Sequence, residues 1–347
     1  MKRARLFCAF LSFAQIVFAA DAFASSRPVS LCSTCHSAQA KPHPTTSMAH
    51  ALEVVRECGI LKNHQVLSFT EGKYSYGIER KGAESSYSVS DGQQTLTVPI
   101  AWAFGLGSAG QTYVFKRGGE FYESRVSYFR ELDGLDLTLG AADLKPTNIL
   151  EALGRHMRRD EAMKCFGCHA TNTSHGGQFA PDKLIGGVQC ERCHGSTQDH
   201  LAGLKQGNPI LARMKKLNTL STEEVSKFCG QCHRTWEEIA FSPKRGITNV
   251  RFQPYRLTNS KCYDAEDSRI SCLACHDPHQ ELDRDAAHYD AKCQACHGGG
   301  KTGSRHCKVS TNDCTSCHMP KLELPGSHHK FSDHEIRIVK ANENYPD

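Results

Sequence analysis

The chain has 347 residues, 39% of them hydrophobic and 8% aromatic, enough for one large or two ordinary domains. Its 18 cysteines and 19 histidines form a joint excess that a short disulfide-stapled scaffold does not show, and it points to a metal or cofactor protein. The formal charge of +5 comes with no basic run interleaved with aromatics, so nucleic acid is excluded as an expected partner.

In chain order, residues 1–24 read as a Sec-type signal peptide. Lys2, Arg3 and Arg5 precede the apolar run 6–20, broken only by Ser12 and Gln15, and Ala22-Phe23-Ala24 is a small-x-small cleavage signal. The run is shorter than the ~20 residues a membrane-spanning helix needs, and no later segment is apolar enough. The expectation is an exported chain, periplasmic or extracellular, that starts at Ser25, has lost Cys8 and has no transmembrane segment. Residues 25–66 then carry Cys32-Ser-Thr-Cys35-His36 and an expected helix from Thr46 to Cys58, with His50 in it and His64 just after. Residues 67–139 alternate like strands at 74–78, 87–90, 94–98, 112–115 and 121–126, with Asp91-Gly92 and Gly118-Gly119 as hairpin turns. A small antiparallel β unit is expected there, with its Tyr and Phe side chains as core rather than a substrate cage. Residues 140–347 hold the remaining motifs. Among them, Ser221-Thr-Glu-Glu224 reads as a capping box opening a helix that would reach Trp236.

The spacing Cys-x-x-Cys-His occurs seven times, and its seven histidines are expected to be the proximal ligands. After Cys32, Cys35 and His36 come Cys165, Cys168 and His169; Cys190, Cys193 and His194; Cys229, Cys232 and His233; Cys272, Cys275 and His276; Cys293, Cys296 and His297; and Cys314, Cys317 and His318. Two thiols one helical turn apart can form thioethers to the two vinyl groups of one haem, and the next histidine reaches the iron from one face. This is the c-type haem attachment signature. A redox dithiol or half of a zinc site has the same Cys-x-x-Cys but needs no following histidine. Seven covalently bound haem c groups are therefore expected. Stacked haem plates would stand in for a side-chain core, and six copies between Cys165 and His318 leave little room for sheet. The expected fold is mainly α with extensive loops, plus the small β unit near 67–139. Without residues 1–24 the charge falls to +3, and fourteen propionates with seven ferric centres would bring it to about −4.

Twelve histidines remain for the opposite faces of the irons, and imidazole suits iron. The candidate distal ligands are His50, His64, His175, His200, His279, His328 and His334. His200 closes a short loop after Cys190–His194, His279 sits in Cys-His-Asp-Pro-His with Pro278 fixing a turn, and His328 and His334 lie in the polar tail. Met48 is an alternative to His50; His43, His156, His288, His306 and His329 rank lower. Cys58, Cys262 and Cys307 belong to no motif. In an oxidising compartment Cys262 and Cys307, which flank the fifth and sixth copies, are the favoured disulfide pair, and Cys58 is left odd.

With the motifs placed, the chain resembles a family of bacterial multihaem cytochromes distantly similar to the tetrahaem cytochrome c of ammonia oxidisers. The matching stretches include Trp102-Ala-Phe-Gly-Leu-Gly, Gly110-Gln-Thr-Tyr-Val-Phe, Gly187-Val-Gln-Cys-Glu-Arg-Cys-His-Gly, Arg251-Phe-Gln-Pro-Tyr-Arg-Leu and Phe331-Ser-Asp-His. The resemblance implies bis-histidine haems in stacked pairs, electron transfer, and His200 as ligand to an earlier haem. The chain departs from the family at Ser196-Thr197, where Pro-Gly is usual. An electron carrier between a redox protein donor and acceptor is the expected function. An oxidoreductase acting on a small nitrogen or sulfur oxyanion at one open haem, or a subunit of a cytochrome filament, are the alternatives. The spare histidines favour the carrier, and no catalytic motif, such as a lysine replacing a proximal histidine, is present.

Overall fold

A computed structural model describes residues 30–298, 307–340 and 343–346. The signal-peptide reading and His306 lie outside the described residues.

The haem-free stretch builds two antiparallel sheets. β1 is Leu52–Val54, β2 Val66–Glu71, β3 Tyr74–Lys81, β4 Glu84–Ser90 and β5 Thr95–Pro99; β6 is Trp102–Phe104, β7 Gln111–Arg117, β8 Glu120–Phe129, β9 Gly134–Leu137 and β10 Gly154–Met157. One sheet runs β2-β3-β4-β5 and the other β1-β6-β7-β8-β10, with β9 on β8. Successive side chains of a strand face opposite sides. Accordingly Tyr74, Tyr76 and Ile78 of β3 and Tyr87 and Val89 of β4 turn inward to meet Tyr113, Phe115, Val126 and Tyr128 of the other sheet. Burial drives the phenols of Tyr87 and Tyr113 far above their ordinary range, so these rings serve as core. Arg125 of β8, almost wholly buried, clamps the sheets together through a two-pronged pair with Glu71 of β2, Nε to Oε2 at 3.0 Å and Nη2 to Oε1 at 3.1 Å. Gly118 and Gly119, at φ 60° and 85°, make the two-residue hairpin between β7 and β8. Cys58 is fully buried in the same core, donates to Gln111 Oε1 at 3.2 Å, and is pushed up to about 12 by burial.

Three expectations need correction. The fold is not mainly α: helices and sheets share the described chain, and the β region carries a dense side-chain core of its own rather than leaving that task to cofactors. Strand also extends outside 67–139, in β1, β10 and in two-stranded ribbons within the motif-rich part, such as Lys321–Glu323 with Lys330–Ser332. Second, the stretch 46–58 is not a helix. Leu52 and Val54 are buried and Glu53 less so, a period-two pattern, and β1 completes the sheet edge by pairing Val54 with Trp102. Tertiary pairing has overridden local helix preference. Third, the helix opened by the Ser221–Glu224 capping box ends at His233. Arg234 takes a left-handed φ of 68°, and Thr235 caps a separate helix Trp236–Ala240.

The outer face of the six-stranded sheet positions the second motif. Phe166, inside Cys165–His169, sits fully buried among Trp102, Phe104, Phe121 and Phe179, with ring centres 5.0, 5.0, 5.9 and 5.5 Å away. Such edge-on aromatic contacts add about 0.5–1.5 kcal/mol each beyond burial. Elsewhere Gly187, at φ 70°, lets the third motif's approach loop touch residues 48–49; a Cβ there would lie 1.8 Å from the Ala49 carbonyl oxygen, and the contact is sealed by Val188 N donating to Met48 O at 2.8 Å.

Candidate haem sites

Each motif lies on, or at the end of, a helical turn: Ser30–Ser33 for the first, then Arg159–His169, Cys190–His194, Thr222–His233, Cys272–Cys275, Ala286–His297 and Cys314–His318. Positions i and i+3 share one helix face, so the two thiols of copies two to seven share a face; Cys35 of the first copy lies just past its helix.

Three motif histidines are oriented by backbone carbonyls. His169 Nδ1 donates to Ala51 O at 2.9 Å, His194 Nδ1 to Lys215 O at 2.7 Å and His318 Nδ1 to Arg337 O at 2.9 Å. A carbonyl oxygen only accepts, so the proton sits on Nδ1 and Nε2 keeps a bare lone pair. This is the second-shell arrangement of a metal-binding imidazole.

Whether haem fits can be tested on spacing. An imidazole nitrogen sits about 2 Å from its metal ion and about 1 Å from its own ring centre, so two imidazoles on opposite faces of one iron have centres about 6 Å apart. His36 and His200 have ring centres 6.4 Å apart, His194 and His279 6.1 Å, and His276 and His334 6.3 Å. The partner rings are oriented as well. His200 Nδ1 donates to Ala212 O, His279 Nδ1 meets Asp277 Oδ1 at 2.9 Å and His334 Nδ1 donates to Ser332 O at 3.0 Å. Three motif histidines thus face a second imidazole across an iron-sized gap, and the residues fit haem c.

The structure does not place the other four candidates opposite a motif histidine. His50 has both nitrogens engaged, Nδ1 with Glu53 at 3.0 Å and Nε2 with Pro44 O at 2.7 Å. His64 Nε2 meets Tyr128 Oη at 3.3 Å and Asp133 at 3.5 Å. His328 Nε2 meets Asp136 at 2.8 Å, and His175 stands exposed in a two-residue strand. His43, ranked low on sequence, is buried with Nδ1 unpartnered; no spacing signal distinguished it. Cys262 and Cys307 are both free thiols, the first half-buried and the second exposed.

The motifs also touch one another. Thiols approach between copies one and three (Cys32 and Cys190), two and four (Cys168 and Cys232), four and five (Cys229 and Cys272), and six and seven (Cys293 and Cys314). The helix bearing Cys272 packs on that bearing Cys293. Arg192 of the third copy donates from Nε to Gly167 O of the second at 3.3 Å and also reaches Cys232 of the fourth.

Residues 141–195, which hold the second and third copies, match the family model described as cytochrome c554 and c-prime. The chain is similar to the multiheme cytochrome MtrA of Shewanella baltica (strain OS185), 23% identical over 216 residues, covering 60% of this chain and 55% of that protein. The chain thus spans about half the length of this curated relative. Among solved structures it is similar to the outer cell wall cytochrome OcwA, at 17% identity, 90% of this chain and 79% of that one, with a TM-score of 0.48. The family match and the MtrA likeness fall on a chain with seven attachment motifs, and together they support a bacterial multihaem c-type cytochrome.

Proposed function

We propose that this cytochrome carries seven haems, works in the periplasm, and relays electrons from a protein donor to a protein acceptor without substrate chemistry of its own. The observation that carries the reading is the set of three histidine pairs at 6.1–6.4 Å. Haem c supplies one-electron iron chemistry when bound. The fourteen motif cysteines would hold the rings and the seven motif histidines one face of each iron. His200, His279 and His334 would close the second face of the first, third and fifth. An iron held between two imidazoles would have no position left for a substrate, so the first, third and fifth sites fit a carrier rather than an enzyme.

The thiol contacts link copies one and three, two and four, four and five, and six and seven; with Arg192 bridging three to four and helix packing joining five to six, they support a route from copy one to three, four, five, six and seven, with copy two beside four. Thioether sulfurs would sit on the ring edges, so approaching thiols would bring those edges close. In this reading residues 25–66 hold the first haem, 140–347 hold the other six, and the β unit near 67–139 is a rigid support against which the second motif docks through Phe166. No helix among the described residues is long and apolar enough to cross a membrane.

The test is carbon monoxide. With every iron six-coordinate, adding it to the fully reduced protein leaves the haem absorption unchanged. A carbon monoxide adduct at one haem equivalent would contradict the carrier and favour an oxidoreductase with one open iron.

A further inference from the structure

We propose that Arg256 is a positioning residue that holds the C-terminal strap 330–337 against two haem sites at once. The inference rests on the haem reading above, for the fifth and seventh copies.

The strap has two functional contacts. His334 faces His276 of the fifth copy at 6.3 Å. Three residues later, the Arg337 carbonyl accepts from His318 Nδ1 of the seventh copy, and Arg337 N donates back to His318 O at 3.2 Å. One short segment therefore supplies the distal imidazole of one site and the carbonyl that orients the proximal imidazole of another.

What fixes the strap is a charge cluster out of water. Arg256, on the helix Gln253–Thr258, and Asp333 both have fully buried side chains. The guanidinium grips Asp333 with a fork, Nε to Oδ1 at 2.8 Å and Nη2 to Oδ2 at 3.0 Å. It also reaches Glu335 at 2.6 Å and the Pro346 carbonyl at 2.7 Å, and lies 4.5 Å from the Tyr345 ring centre. Arg337 Nη1 closes the cluster on Asp333 at 2.6 Å. From the same wall, Ser260 Oγ donates to His334 O at 3.0 Å and accepts from Ile336 N at 2.8 Å. Asp333, the residue gripped by the fork, is the immediate neighbour of His334.

Stability alone is a weak reason for such a cluster, because replacing a buried ion pair by well-packed apolar groups is often neutral or stabilising. Position is the better reason. A planar fork fixes both the distance and the plane of a carboxylate, which lysine does not.

The experiment compares oxidised holoprotein carrying Arg256→Gln, Arg256→Lys or His334→Ala by electron paramagnetic resonance, with haem number checked by intact mass. His334→Ala should convert one haem equivalent from low to high spin. Arg256→Gln should lose or shift that same low-spin signal with the haem number unchanged, and added imidazole should restore it. Arg256→Lys, which keeps the charge but not the fork, should shift it less, and is read in place of Arg256→Gln if the latter does not accumulate. An Arg256 variant with full haem load and the parent spectrum overturns the positioning role, even if it melts earlier. A parent spectrum for His334→Ala instead overturns the ligand reading beneath it.

Discussion

At the residue scale, an attachment motif is local in the chain and a distal ligand is not. Cys-x-x-Cys-His is complete within five residues, so the sequence displays it whole. A distal histidine comes from wherever the chain folds back. His334 meets His276 from the far end of the chain, while His50, in a similarly promising sequence context, spends both nitrogens on Glu53 and Pro44. Only the unspent nitrogen separates a ligand from a structural histidine. His200→Ala should therefore turn one haem high-spin while all haems stay attached, because among the described residues His36 faces no other imidazole at that spacing. His50→Ala should leave the magnetic spectrum unchanged. If the two variants behave the other way round, the pairing of His36 with His200 is wrong.

At the scale of elements, alternation and turn chemistry carried the strands. The stretches at 74–78, 87–90, 112–115 and 121–126 all lie in strands, and Gly118-Gly119 sits in its hairpin. What failed was local reading of segments whose partners are remote. β1 is a strand because Trp102–Phe104 offers it an edge, and the helix from Thr222 stops because Arg234 turns left-handed, a conformation that nothing in its side chain announces. Phe166 is the element-scale joint, since its ring locks the second motif to the sheet. Phe166→Ala should cost about 3–5 kcal/mol, the usual loss for a buried phenylalanine, read as a lower denaturant midpoint with the haem number unchanged. A loss under 1 kcal/mol would mean that the sheet does not anchor that motif.

At the scale of the whole molecule, the expectation that haem plates replace a side-chain core holds for neither sheet, whose facing sides bury tyrosines, valines and phenylalanines. Composition could not reveal this, because modest overall aromatic content averages a dense β region with a sparse motif-rich one. The motif-rich region follows a different rule, in which short helices meet at their thiols and histidines arrive in pairs. The central claim is that all seven motifs carry haem. Intact mass of the purified protein measures this most directly. The account predicts the mass of the chain from Ser25 plus seven haems, and a mass corresponding to six or fewer would contradict it.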